Sequence, residues 1–255
     1  MAAKRNQPGE SLYTLTKQKH LAGILQSSRH AWNPRTNGKH AWAWPEVVFI
    51  DCTAGRGHDS DGNLGSPLII HAWAMDTFSA YGIPFHFLCC ESIPQTYVSL
   101  SHTNLSYATL RHGKYEDMVL PWLESLQVPR SKQVMGFLYC DPNGSKDLVY
   151  GVPLFRQILN DRRYARLDFI FHWSLTSHKR NFAAGNIWAS EDELSLFDTL
   201  ASLKKTTTVR VPIGQWQWVM MHCRNTDKVS GTWQKERFMS AAAWRDVWIT
   251  GKGLS

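Results

Sequence analysis

The 255-residue sequence holds no apolar run approaching the 18 residues that a membrane-crossing helix requires, so no membrane span is expected. Its opening, MAAKRNQPGESLY, lacks an apolar h-region, which argues against a secretory signal and for a cytoplasmic protein. Cysteine is sparse. Cys52, Cys89, Cys90, Cys140 and Cys223 are odd in number and form no Cys-x-x-Cys pair. All lie in or just after expected strands, so they read as reduced, buried thiols and not as a disulfide framework or a structural zinc site. Internal repeats and low-complexity tracts are also missing.

Hydrophobic residues make up 43% of the chain, enough for the core of one large α/β domain. The formal charge is +7 and the isoelectric point about 9.2, which points to nucleic acid as partner. No particular protein partner is indicated. Twelve tryptophans suit packing, with base stacking as the sharper use.

Short β-rich runs alternate with helical stretches. Residues 11–28 read as a helix with Leu12, Leu15, His20, Leu21, Ile24 and Leu25 along one face, and 29–45 as an irregular connection. Strands are expected at 47–51, 85–90, 106–111, 134–140, 167–173, 206–211 and 217–223. Helices are expected at 67–81, 93–103, 116–126, 152–162 and 191–203. This order predicts βαβ units and a seven-stranded, mostly parallel sheet with helices on both faces and a C-terminal antiparallel hairpin. That is the outline of a Rossmann-like class I methyltransferase. Residues 1–45 would pack on a core formed by 46–255, giving a single domain.

In VVFIDCTAGRGHDSDGNLGSPL, residues 47–68, a strand ends at Asp51 and runs into Ala54-Gly55-Arg56-Gly57. Glycines there let the backbone turn with its N–H groups free for a ligand, although a plain βα turn has the same letters. A calcium loop starting at Asp59 would place Asp61 and Asn63 correctly but Leu64 and Ile70 where Gly and Glu are needed. No metal is expected. The chain lacks the Gly-Lys-Ser/Thr that closes a phosphate loop, and a nicotinamide fingerprint lacks its third glycine, with Ser60 in its place. The polar insertion from His58 to Gly65 reads as a lid or substrate contact, leading to a helix with Ser66 as N-cap and Pro67 in the first turn.

Glu91, ending FHFLCCE, could accept both ribose hydroxyl protons of a nucleoside cofactor, or could be a solvated strand end. Glu116 and Asp117, after the third strand, could reach an adenine amino group, or could simply complement a helix dipole. The most informative stretch is VMGFLYCDPNGSKD, residues 134–147, which delivers Asp141-Pro142-Asn143-Gly144 to the carboxyl end of a central strand. Aminomethyltransferases acting on adenine or cytosine place Asp/Asn/Ser-Pro-Pro-aromatic there, to accept hydrogen bonds from the target amino group. Asn143-Gly144 departs from that pattern and removes the aromatic that would stack on a flipped base; a β-turn is the alternative. FIFHWSLTSHKRN, residues 169–181, brings His172, Ser174, Lys179 and Arg180 to the same rim, as phosphate contacts or as a solvated loop.

These islands resemble the three-Cys-motif partner proteins, within the class I S-adenosylmethionine (SAM)-dependent methyltransferases. The matching residues are Ile50-Asp51, Ala54-Gly55, Gly57, the insertion ending Gly65-Ser66-Pro67-Leu68, Asp141-Pro142-x-Gly144 and Lys179-Arg180-Asn181. Cys52-Thr53, Arg56 and Asn143 depart from the family pattern. The resemblance implies SAM as cofactor, with Asp51, Thr53, Ala54, Gly55 and Gly57 at its methionine end. Glu91 would then hold the ribose and Glu116 or Asp117 the adenine. Asp141, Pro142 and Asn143 would form the catalytic rim for an adenine amino group in DNA or RNA. A non-catalytic nucleic-acid-binding protein with this fold is the rival expectation.

Overall fold

The computed structural model describes residues 14–32, 46–142, 145–174, 198, 206–210, 218–224 and 236–240. Each of the seven expected strands is present, as β1 (Glu46–Asp51), β2 (His86–Glu91), β3 (Ala108–His112), β4 (Val134–Cys140), β5 (Asp168–Ser174), β6 (Thr206–Arg210) and β7 (Trp218–Arg224). An eighth, β8 (Glu236–Ser240), pairs antiparallel with β6 and extends the sheet beyond the expected hairpin. The strand order is β3-β2-β1-β4-β5-β7-β6-β8. The first five strands in this order run parallel, and β7 inserts antiparallel between β5 and β6. This is the Rossmann-like methyltransferase arrangement. The chain reverses its winding between β1 and β4, which opens a crevice at the carboxyl ends of those strands.

Alternation along β1 shows why helices cover both faces. Val47 and Phe49 point to one side, with Leu21 and Ile24 of α1 (Thr14–Trp32), Ile70 and Trp73 of α2 (Ser66–Thr77) and Leu100 of α3 (Pro94–Ser101). Val48 and Ile50 point to the other, with Val119 and Leu123 of α4 (Tyr115–Ser125) and Phe155 and Ile158 of α5 (Ser145–Asn160). Phe49 lies at the centre of its layer, its ring 5.0 Å from Phe137 and 5.5 Å from Trp73. β4 is buried along its whole length, as a central parallel strand should be.

Two departures at helix starts have a local cause. α5 begins at Ser145, seven residues early, because Pro153 sits inside the helix where it reads as a breaker. α2 is capped by Gly65, not Ser66; Ser66 is its first residue, and its hydroxyl is used elsewhere. The expected helix at 191–203 lies outside the described residues apart from Asp198, as does most of the expected connection at 29–45; its first four residues instead continue α1 to Trp32.

Candidate functional site

A cleft of about 310 Å³ opens at the carboxyl edge of the parallel strands, walled by the loops after β1, β2, β3 and β4 and roofed by Lys17, Gln18 and Leu21 of α1. Of the expected cofactor residues, Thr53, Ala54, Gly55, Gly57, Glu91 and Glu116 line it, and Asp141 and Pro142 form its rim.

The β1 loop is held open by the protein's own hydrogen bonds. Gly55 and Gly57 adopt φ of +63° and +90°, the left-handed region where a Cβ is strained. At Gly57 a Cβ would also stand 2.5 Å from the Thr103 methyl. Glu91 ties this loop to the next: its Oε2 accepts from Gly55 N at 3.0 Å, and its Oε1 from Ile93 N at 2.7 Å. Each carboxylate oxygen keeps a second lone pair, so the expected ribose contact is compatible with this bracing role. The insertion closes on itself. Asp59 Oδ1 accepts from the backbone of Asp61 and Asn63, Asn63 Nδ2 donates to Asp59 Oδ2 at 2.9 Å, and Gly65 N donates to Gly57 O at 2.7 Å. From this self-bonded loop His58, Asp59 and Gly65 line the cleft.

Asp51 does not line the cleft. It is fully buried beneath the loop, accepting from Thr53 N at 3.1 Å and from the Ser66 hydroxyl at 2.6 Å. Burial pushes its carboxyl up to about 7 against those two hydrogen bonds. Asp51 is thus a clamp between the β1 turn and α2. Asp117 is not among the lining residues either, and of the acidic pair only Glu116 faces the cleft.

Asp141 has the densest contacts. His172 Nδ1 lies 2.6 Å from its Oδ1, and Lys17 Nζ lies 3.2 and 3.3 Å from Oδ1 and Oδ2. The Tyr139 hydroxyl reaches Oδ2 at 3.4 Å, and Asp141 N donates to Thr53 Oγ1 at 2.9 Å. Burial opposes ionisation of Asp141, but His172 and Lys17 outweigh it and hold the carboxyl well below the usual carboxylate range. Burial pushes His172 down while the neighbouring Asp141 carboxylate pulls it up, and its Nδ1 faces Oδ1 beside the Lys17 ammonium. Oδ1 is thereby anchored, and Oδ2 carries only two long contacts.

His172 is buried behind Asp141 and does not line the cleft, so its expected phosphate contact becomes an orienting one. Ser174 is the last residue of β5. Asn143, Lys179 and Arg180 lie outside the described residues.

Lys17, Ile93, Tyr115 and Tyr150 also line the cleft, and sequence reasoning passed over all four. Lys17 carried a signal: it falls one turn before Leu21 and two before Ile24, on the apolar face of α1, where a lone cation requires a partner.

No family model matches the chain, and no curated protein does at a significant level. Similar solved structures exist. One is protein LPL1258 from Legionella pneumophila, of the DUF519 family, at 10% identity over 92% of this chain and 93% of that one, with a TM-score of 0.49. Another is the METTL16 methyltransferase domain, at 10% identity over 86% and 70%, TM-score 0.44. A third is Aeropyrum pernix fibrillarin in complex with SAM, at 14% identity over 70% and 65%, TM-score 0.38, so this chain spans about two thirds of that one. At such distances the chain's own strand order and cleft residues have to carry the functional reading.

Proposed function

We propose that this chain binds SAM in the cleft and transfers its methyl group to nucleic acid, with an adenine amino group as the target. The observation that carries the reading is the pairing, across one cleft at the switch point, of a glycine turn braced by Glu91 with an ionised Asp141. The glycine turn receives the methionine end, Glu91 the ribose hydroxyls and Glu116 the adenine. SAM supplies an activated methyl on its sulfonium. Asp141 Oδ2 accepts one N–H of the target amino group, displacing the long Lys17 and Tyr139 contacts, while His172 keeps the carboxylate in register through Oδ1. Catalysis of this kind is positioning and exclusion of water. The finer likeness to three-Cys-motif partner proteins rests on the sequence islands alone.

The second reading is a nucleic-acid-binding protein that keeps the fold without the reaction. The Lys17 ion pair favours it, because in this structure the ammonium occupies the acceptor that the target would need. Calorimetry with SAM and transfer of tritiated methyl to DNA and RNA separate the two. The proposal expects SAM binding, and methyl transfer that Asp141→Ala abolishes while SAM affinity is retained. No binding at millimolar SAM would sink it; binding without transfer to either polymer would leave the second reading.

A further inference from the structure

In the sequence Asp141-Pro142-Asn143-Gly144, Asn and Gly stand where an aromatic would hold a flipped base. Six residues further on, α5 presents Tyr150 to the same cleft with 53% of its surface exposed. Its position is fixed from behind. Gly151, the next residue, lies so close to α4 that a Cβ there would collide with the Tyr115 hydroxyl and stand 2.8 Å from the Phe155 ring. The Tyr115 and Phe155 rings stack offset, their centroids 5.9 Å apart and their planes 8° from parallel. Gly151, Val152, Leu154 and Phe155 are all buried. The first turns of α5 therefore cannot roll, and Tyr150 stays on the open side.

Apart from Tyr150, Ile93 is the only strongly exposed large apolar side chain among the described residues that lines this cleft, and its N–H is bound to Glu91 on the cofactor side. The cleft thus has one apolar surface beside Glu91 and another on the helix that leaves Asp141-Pro142. A ring on a buried, rigid base loses little entropy on stacking, and any nucleobase offers a π-face.

We propose that Tyr150 is the stacking platform for the target nucleobase, replacing the aromatic that the Asp-Pro-Asn-Gly sequence lacks. This rests on reading the cleft as a methyl-transfer site for a base. The ligand class is an unpaired purine held in single-stranded nucleic acid, its face on Tyr150 and its amino edge towards Asp141.

The test uses the full chain, single-stranded oligoadenylate as DNA and as RNA, and the same strands carrying one 2-aminopurine. SAM affinity is measured by calorimetry in parallel. Tyr150→Ala is expected to weaken strand binding, and to raise the KM for the strand, by about tenfold, to lose the 2-aminopurine quenching, and to leave SAM affinity unchanged. Tyr150→Phe is expected to behave as the parent. The proposal is overturned if Tyr150→Ala weakens SAM as much as the strand, if Phe fails as badly as Ala, or if the parent binds neither strand. Tyr150-dependent strand binding without SAM binding would instead remove the methyl-transfer reading and leave the platform standing.

Discussion

His172 Nδ1 lies 2.6 Å from Oδ1 of Asp141, and the imidazole is buried while the carboxylate reaches the cleft. The pair joins β5 to the end of β4 at the place where the two strands deliver their chemistry. The imidazole meets the carboxylate from the buried side and the Lys17 ammonium meets it from α1. Replacing His172 by Asn, which is shorter, removes the anchor and frees Asp141 to rotate onto Lys17. Methyl transfer should fall by at least tenfold with SAM affinity unchanged, and stability by about 2 kcal/mol, the scale of a hydrogen bond to a charged group. Equal loss of SAM affinity would show that His172 shapes the whole cleft, not the rim.

The Lys17–Asp141 pair spans 124 positions and ties α1 to the rim. Both side chains are mostly buried, so the pair should couple more strongly than a surface ion pair. In a double-mutant cycle with Lys17→Met and Asp141→Asn, urea denaturation should give a coupling of about 1–2 kcal/mol. A coupling within error of zero would mean that α1 is held by Leu21, Ile24 and Leu25 alone.

Glu91 braces two backbone N–H groups and lines the cleft, where its remaining lone pairs would meet the ribose of the proposed cofactor. Gln is the same size but turns one acceptor oxygen into a donor that must face an N–H. Glu91→Gln should weaken SAM by at least tenfold, with a stability loss of about 1–3 kcal/mol. Asp117→Asn, away from the cleft, should change neither quantity; calorimetry and thermal unfolding of the two variants decide.

The part of the candidate cleft that depends on chain order was legible. Apolar runs ending in Asp51, Glu91 and Asp141 announce parallel strands, and parallel strands bring their carboxyl ends to one edge. What could not be read is which way each side chain turns once there. Asp51 and Glu91 look alike in sequence, yet one is sealed under the loop by Thr53 and Ser66 and the other opens onto the cleft. Ser66 has the letters of an N-cap, but a buried carboxylate competes for its hydroxyl and wins. β8 was missed because Glu236-Arg237 interrupts any apolar pattern, which an edge strand tolerates. Tyr150 was hidden by Gly151 and Pro153, residues that read as helix breakers and here pack inside α5.

Asp51 gives a pH dependence with a defined sign. Its carboxyl is raised to about 7 in the folded protein from an ordinary 3.8, chiefly by burial. Between those values the folded state keeps a proton that the unfolded chain releases, so the Asp51 contribution to stability is fully present below about 4 and is lost as pH rises towards 7. Above 7 both states are ionised, and the loss is complete and constant. Each tenfold change in proton affinity corresponds to about 1.4 kcal/mol, so the full span is on the order of 4 kcal/mol. His172, pushed down by burial, acts oppositely over the upper part of this range, so the parent alone would blur the effect. Asp51→Asn isolates it, since the variant lacks only the carboxyl's titration. Urea unfolding of both proteins from pH 4 to pH 8 should show the variant gaining on the parent with rising pH and reaching a constant difference above 7. A difference that stays flat across the range would mean that Asp51 ionises normally and that its clamp on Thr53 and Ser66 is made by a carboxylate throughout.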